Sequence, residues 1–292
     1  MTNGHLRSLH LYPVKSCRGV DVESATVGPT GLVGDREWQI STAGGAPVTQ
    51  RQKTVLATVQ PEPIEGGLRL SAEGHGSIEV ERPATADREI TALIQQPVSV
   101  GDAGDEAAAW CAALLDDPDA RLYGLAPGGH LSIPPPIDVF GGQAIAFGDL
   151  APVLVTNTAS LDWLVSNADD AFAMDRFRAN LVVATDEPFA EDTWSRFTIG
   201  AAELRLGMPW PRCAIPQVDQ VSGVRHKEPA RVLAAHRKVT EAPSLPDPVR
   251  PIVVGSAVFG IGCAVGPAGA VVAVGDTLDV AETTAPLLAP PD

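Results

Sequence analysis

Short apolar runs separated by turn residues fill the first hundred positions and predict strands at 6–12, 25–27, 38–41, 55–59, 68–70 and 78–80. Gly44-Gly45, Gly66-Gly67 and Gly74-His75-Gly76 lie between these runs and supply the positive φ angles that tight turns require. The pattern changes at 105–115, an alanine-rich stretch with Asp105 and Glu106 in its first turn, where acids complement the helix dipole. That helix stops before Asp116-Asp117-Pro118. Further on, strands are predicted at 152–156, 180–184, 196–199 and 202–206. A short helix capped by Thr158 or Ser160 runs through Trp163-Leu164, and a second helical stretch covers 228–238 with Val232, Leu233 and His236. Residues 251–275 carry no charge and could span a bilayer by length. Six glycines and two prolines break that stretch into short Val/Ile/Ala runs, so it reads as a buried β-hairpin.

Gly128-Gly129 and Pro134-Pro135-Pro136 mark a connector, placing a boundary at about 120–140. The expectation is a mainly β fold with a few short helices (α+β): a β-barrel-like domain over 1–125, a second β-barrel over 135–282, and a disordered tail over 283–292. No internal repeat is visible. Lys plus Arg number 21 against 36 Asp plus Glu, a formal net charge of −15. That balance disfavours general binding to nucleic acid or anionic membranes, both of which need a basic face. Residues 1–8 are polar and hold no apolar signal core. The four cysteines (17, 111, 213 and 263) form no CxxC pair, so free thiols in a reducing, cytoplasmic setting are the expectation.

Common catalytic signatures are missing from the sequence. It holds no Gly-Lys dipeptide and hence no phosphate loop of the Walker type, no GxSxG, no HExxH and no GxGxxG. The six histidines show no ligand spacing and read as surface or hydrogen-bonded residues. Cations gather instead in four short segments: Tyr12-Pro13-Val14-Lys15-Ser16-Cys17-Arg18-Gly19, Gly34-Asp35-Arg36-Glu37-Trp38, Asp175-Arg176-Phe177-Arg178-Ala179-Asn180, and Pro209-Trp210-Pro211-Arg212-Cys213 continuing to Val218-Asp219. Singly, each has an ordinary explanation: an Arg before a strand makes a surface ion pair worth about 0–1 kcal/mol, and a lone Cys packs as a small hydrophobe.

In this order the four segments, with a late Phe259-Gly260, resemble the MOSC superfamily of molybdenum-cofactor proteins, in the branch of the mitochondrial amidoxime-reducing component and its bacterial relatives. The likeness covers nearly the whole chain and implies an N-terminal β-barrel domain followed by a β-barrel MOSC domain, without a ferredoxin extension. It implies the molybdenum cofactor, Mo-molybdopterin, held by Lys15, Ser16 and Arg36 from the first half and by Arg178, Asn180 and Arg212 from the second. Asn157 and Thr158 stand where the family often has Ser or Thr and are carried as cofactor contacts. Cys213 becomes the metal ligand, a soft thiolate for a sulfur-bound metal, with Arg212 beside it to favour the thiolate. Asp219, paired with Cys213 as a catalytic residue, orients the loop, relays a proton or makes a structural turn. Cys17, Cys111 and Cys263 are expected to pack.

Family behaviour implies an oxidoreductase, a molybdenum-dependent reductase of N-hydroxylated substrates such as amidoximes, hydroxylamines and N-hydroxylated bases. Without a flavin motif or iron–sulfur spacing, electrons have to come from a separate protein: a ferredoxin, a cytochrome b5-like protein or a flavoprotein reductase. The acidic composition suits a partner with a basic patch. The alternative is a cofactor carrier or sulfur-transfer protein without turnover. No nucleic-acid partner and no membrane span are expected.

Overall fold

A computed structural model describes residues 4–92 and 96–289. The protein is mainly β with four short α-helices among the described residues. Seven strands close on themselves, in the order Leu181–Ala184, Val153–Asn157, Val258–Gly266, Ala202–Pro211, Trp194–Ile199, Thr277–Thr283 and Gly4–Leu11, and the last pairs back onto 181–184. Closure leaves no free sheet edge in this ring. Only 153–157 and 181–184 run parallel, and a parallel pair needs a crossover. The helix Thr158–Ser166 opens that connection. Leu6, Leu9, Val155, Leu181, Val183, Phe197, Ile199, Leu204 and Ile261 fill the interior.

The first strand therefore completes a barrel whose other six staves come from the second half of the chain. Its apolar spacing changes from Leu6 to Leu9 because the register shifts between Leu6 and Ser8, and a bulge of that kind resets which side chains face inward. The N-terminal half contributes two sheets, Trp38–Ser41 with 121–124, 97–102 and 88–91, and Gln60–Ile64 with 67–72 and 76–81. The helix Asp105–Leu115 buries Trp110, Cys111, Leu114 and Leu115 in a core shared with Val14, Trp38, Ile40, Leu56 and Leu70.

Several expectations change. Residues 55–59 form no strand: Thr54–Thr58 is a tight helical turn, and the Thr58 hydroxyl donates to the Val55 carbonyl at 2.9 Å, local bonding that competes with a ladder. The proline-bearing 60–64, Gln-Pro-Glu-Pro-Ile, for which the pattern gave no element, is a strand at a sheet edge where a missing N–H costs no ladder bond. The expected hairpin over 251–275 does not form. Arg250–Val253 is helical, 258–266 is a barrel stave between 153–157 and 202–211, and Val271–Ala273 pairs with Ser24–Gly28. No described helix is long and apolar enough to cross a membrane. In the tail, Thr283 ends the last strand and Leu287 and Leu288 pack against a third core cluster, while 290–292 lie outside the described residues.

Candidate functional site

The two N-terminal cation segments are bonded together by main chain. Arg36 N–H donates to the Tyr12 carbonyl at 2.7 Å, Trp38 N–H to Pro13 at 3.1 Å, and Lys15 N–H to Trp38 at 2.8 Å. Tyr12 N–H in turn donates to the Asp35 carboxylate at 2.8 Å. This places Lys15, Ser16 and Arg36 just beyond the end of the first barrel strand. Arg178 and Asn180 immediately precede strand 181–184, which pairs with that same strand. Closing the barrel thus brings together cations far apart in sequence.

Backbone conformation marks the same spot. Five described non-glycine residues have positive φ, and three of them, Ser16 (66°), Arg36 (53°) and Arg178 (55°), line one cleft. Each such residue costs about 1 kcal/mol or more, and strain of this kind gathers at functional sites.

The cleft, open to solvent, lies between the two halves of the chain, and the space in and over it measures about 750 Å³. Its lining carries six cations, Lys15, Arg36, Arg51, Arg176, Arg178 and Arg212, and one carboxylate, Asp149. On a chain of net charge −15 that is a strong local reversal, and a concave cationic wall concentrates anions.

The individual bonds divide these cations by role. Arg178 lies 4.4 Å over the Tyr12 ring. Among the described residues it commits only Nη1, to the Cys17 carbonyl at 2.5 Å and to Gln220 at 3.3 Å, which leaves its other nitrogens for a ligand. Arg36 lies 4.8 Å from the centroid of the same ring, is paired with Asp35, and donates to Asn180 Oδ1 at 3.2 Å and to the Arg178 carbonyl at 3.1 Å. Lys15 Nζ donates to the Phe147 carbonyl and to Asp149 Oδ1, both at 2.7 Å. Burial lowers the Lys15 pKa against the pull of Asp149. Asn180, almost fully buried, is a clamp: its amide donates to the His10 carbonyl and its Oδ1 accepts from Leu154 N–H, each at 3.2 Å.

Arg212 engages all three nitrogens with main chain, Nε and Nη2 to the Phe259 carbonyl at 2.9 and 2.5 Å and Nη1 to Phe177 at 3.0 Å. Burial brings its pKa down to about 9, partly offset by Cys213. Gly260, next to Phe259, is required by the strand packing: at φ 71° a Cβ there would stand 2.5 Å from the Val155 carbonyl.

Cys213 is the one exposed cysteine; the other three are buried. Burial pushes the thiols of Cys17 and Cys111 up to about 12. The cation in direct contact with the Cys213 sulfur is Arg51, whose Nη2 lies 3.2 Å from Sγ, while the expected Arg212 interacts with the thiol through space. Arg51 also lies 3.9 Å from Asp149.

Three expected site residues are placed elsewhere. Asn157, completely buried, caps the helix 158–166 by accepting from Ala159 N–H at 3.2 Å, and its amide donates to Thr185 and to the Glu187 carbonyl, so its polar atoms are spent. The cap is therefore Asn157 and neither Thr158 nor Ser160, and neither Asn157 nor Thr158 lines the cleft. Asp219 also stays out of the lining. Its carboxylate accepts from Ser222 N–H and Oγ at 2.8 Å and from Arg176 at 2.9 Å. The Ser222 bonds, with Arg176, hold its pKa at about 2 despite partial desolvation. Bonded to Ser222 and Arg176 and outside the cleft lining, it has the geometry of a loop anchor.

Arg51, Asp149 and Tyr12 were not singled out as site residues by sequence. Arg51 sits in the polar run Thr49-Gln50-Arg51-Gln52 with no thiol or strand beside it, and Asp149 is one acid among many. Tyr12 was visible, since it heads the first segment, but nothing local shows two guanidiniums converging on its ring.

The family comparison agrees with this arrangement. Residues 3–118 match the MOSC N-terminal beta barrel domain and residues 142–279 the MOSC domain. The chain belongs to the MOSC family. This MOSC protein is 30% identical over 245 residues to mitochondrial amidoxime reducing component 2 of Bos taurus, covering 80% of this chain and 72% of the relative. It is 31% identical over 244 residues to mitochondrial amidoxime-reducing component 1 of Homo sapiens, with the same coverage. Against the molybdenum cofactor sulfurase of Danio rerio it is 30% identical over 257 residues, 80% of this chain but 31% of that protein's length.

The donor set of this MOSC protein fits a molybdenum cofactor. Guanidinium and ammonium groups suit an anionic phosphate, and an exposed thiol at the same cleft offers a soft ligand.

Proposed function

We propose that this MOSC protein is a molybdenum-cofactor-dependent oxidoreductase, located in the cytoplasm, that reduces N-hydroxylated substrates with electrons from a separate redox protein. The observation that carries this reading is the position of Cys213, an exposed thiol at a cleft whose lining holds six cations and one carboxylate. The resemblance to amidoxime reducing components over 72% of their length supports it.

In this reading Arg178, with donors to spare, and Arg36 hold the anionic end of the cofactor, assisted by Lys15 and Ser16. Arg212 and Asn180 fix the walls through their main-chain bonds, and Cys213 ligates the metal. When bound, the cofactor supplies two-electron removal of oxygen from an N–OH group. Arg51 holds the sulfur of Cys213 at the cleft mouth, while Trp210, Pro211 and Pro216 stiffen the loop around it. Asp149, the single lining carboxylate, is kept ionised against its burial by Lys15 and Arg51, and so fixes both cations.

A specific likeness favours a second reading. The sulfurase relative matches over the same share of this chain, so a carrier or sulfur-transfer role is the alternative. Molybdenum content and turnover of benzamidoxime with reduced methyl viologen separate the two. Wild type is expected to hold near-stoichiometric metal and to turn over. Cys213→Ser retains pterin without activity, and Arg178→Ala holds less cofactor. Full activity in Cys213→Ser, or metal-loaded wild type that transfers cofactor without turnover, overturns the reductase reading.

A further inference from the structure

The segment that follows the Cys213 loop runs Gln220-Val221-Ser222-Gly223-Val224-Arg225-His226-Lys227 and contains no acid. Val221 is 63% exposed and Val224 53% exposed, two of only five large hydrophobics so displayed among the described residues. Arg225, His226 and Lys227 are exposed beside them.

This loop is held rigidly. Asp219 anchors it through Ser222 and Arg176, Asp219 N–H donates to the Val224 carbonyl and Gly223 N–H to the Asp219 carbonyl, both at 2.9 Å. The Arg225 guanidinium donates to the carbonyls of Gln50 at 3.1 Å and Arg51 at 2.8 Å. Arg51 in turn touches the Cys213 sulfur, so one arginine separates the loop from the thiol. The bonds brace the loop, and its two outward valines three residues apart, rimmed by Arg225, His226 and Lys227, have the make-up of a small protein contact surface.

We infer that the 220–227 loop is the docking surface for an acidic redox protein that delivers electrons at the cleft mouth. The inference rests on the reductase reading and reverses the expectation drawn from overall charge. The body is acidic, but the face beside Cys213 is cationic, and complementary charge steers encounter and fixes orientation. The acids packed near this face, Asp149, Asp175, Asp219 and Glu228, each lie against a cation: Asp149 against Lys15 and Arg51, Asp175 and Asp219 against Arg176, and Glu228 against Arg231. Two valines seat the partner's apolar contact, while the cations meet its carboxylates.

The test compares wild type, Val221→Asp/Val224→Asp and Lys227→Glu of the full chain loaded with cofactor. The probes are an acidic plant-type [2Fe–2S] ferredoxin and, as a basic control, cytochrome c. With ferredoxin as donor, both variants are expected to raise KM at least tenfold, and wild-type KM rises with ionic strength. Turnover with methyl viologen stays within twofold. Calorimetric binding of ferredoxin, which needs no turnover, weakens at least tenfold in both variants. A variant KM or Kd within twofold of wild type, no ferredoxin binding to wild type, or tighter binding of cytochrome c overturns the proposal. Absence of viologen-driven turnover in wild type strikes the reductase reading instead, and the calorimetric arm still decides the docking surface.

Discussion

Arg51 Nη2 lies 3.2 Å from Cys213 Sγ across a separation of 162 residues. One residue comes from a turn in the N-terminal half and the other from the loop after the longest barrel strand, so the contact exists only when the two halves are assembled.

That contact gives a first prediction. Arg51→Met removes the cation that lies 3.2 Å from Sγ, and a positive charge there stabilises the negative charge that the sulfur carries as it attacks. Alkylation of Cys213 by iodoacetamide in the cofactor-free protein is expected to slow about fivefold at pH 7.5, a size typical of one partly exposed charge. Arg51→Lys restores most of the rate. The same alkylation rate in Arg51→Met and wild type would show that the arginine does nothing for the sulfur.

Asp219 serves as an anchor, and two substitutions separate anchoring from proton transfer. Asp219→Asn keeps an acceptor for Ser222 and is expected to preserve the pH profile of turnover between pH 5 and 8. Asp219→Ala lowers stability by about 1–2 kcal/mol, because Arg176 and the Ser222 N–H lose their acceptor. The carboxyl's native value, about 2, lies below its ordinary one. Its stabilisation is therefore present above about pH 4 and lost as pH falls toward 2. A basic limb that disappears in Asp219→Asn would restore the relay role.

Glu191 is fully buried beside Asp192, facing Ser160 and the Asp192–Arg237 ion pair. Burial, then repulsion from Asp192, raises its carboxyl to about 7 from 4.5. The folded state binds this proton more tightly than the unfolded one. Its contribution is thus complete below about pH 4.5 and lost as pH rises through 7. Glu191→Gln keeps an oxygen for the Ser160 hydroxyl, which donates at 2.8 Å. At pH 8 the variant is expected to exceed wild type in stability by on the order of 1–3 kcal/mol, with the gap narrowing at pH 5.5 in urea melts. A constant gap across that range would rule out titration of this group.

The chemistry-bearing segments and about half of the strands were legible in the chain because they depend on local order. Lys15-Ser16, Gly34-Asp35-Arg36, Arg178-Ala179-Asn180 and Arg212-Cys213 are contiguous signals, and the alanine-rich helix ends at Leu115 where the pattern stops. The helix cap at Asn157 was misplaced to Thr158 or Ser160, one or three residues on, since all three are good cap types by composition.

Sequence alone determined the family, the mainly β fold, the metal-ligand candidate Cys213 and four of the six cleft cations, Lys15, Arg36, Arg178 and Arg212, since each rests on residue type and near-neighbour spacing. Tertiary structure alone decided that the first strand closes the second barrel, that Arg51 rather than Arg212 meets Cys213, and that Asp219 is an anchor. Those outcomes depend on which distant backbones pair and where long side chains then reach, and Arg212 at its sequence position beside Cys213 could not reveal that its guanidinium turns to the carbonyls of Phe177 and Phe259.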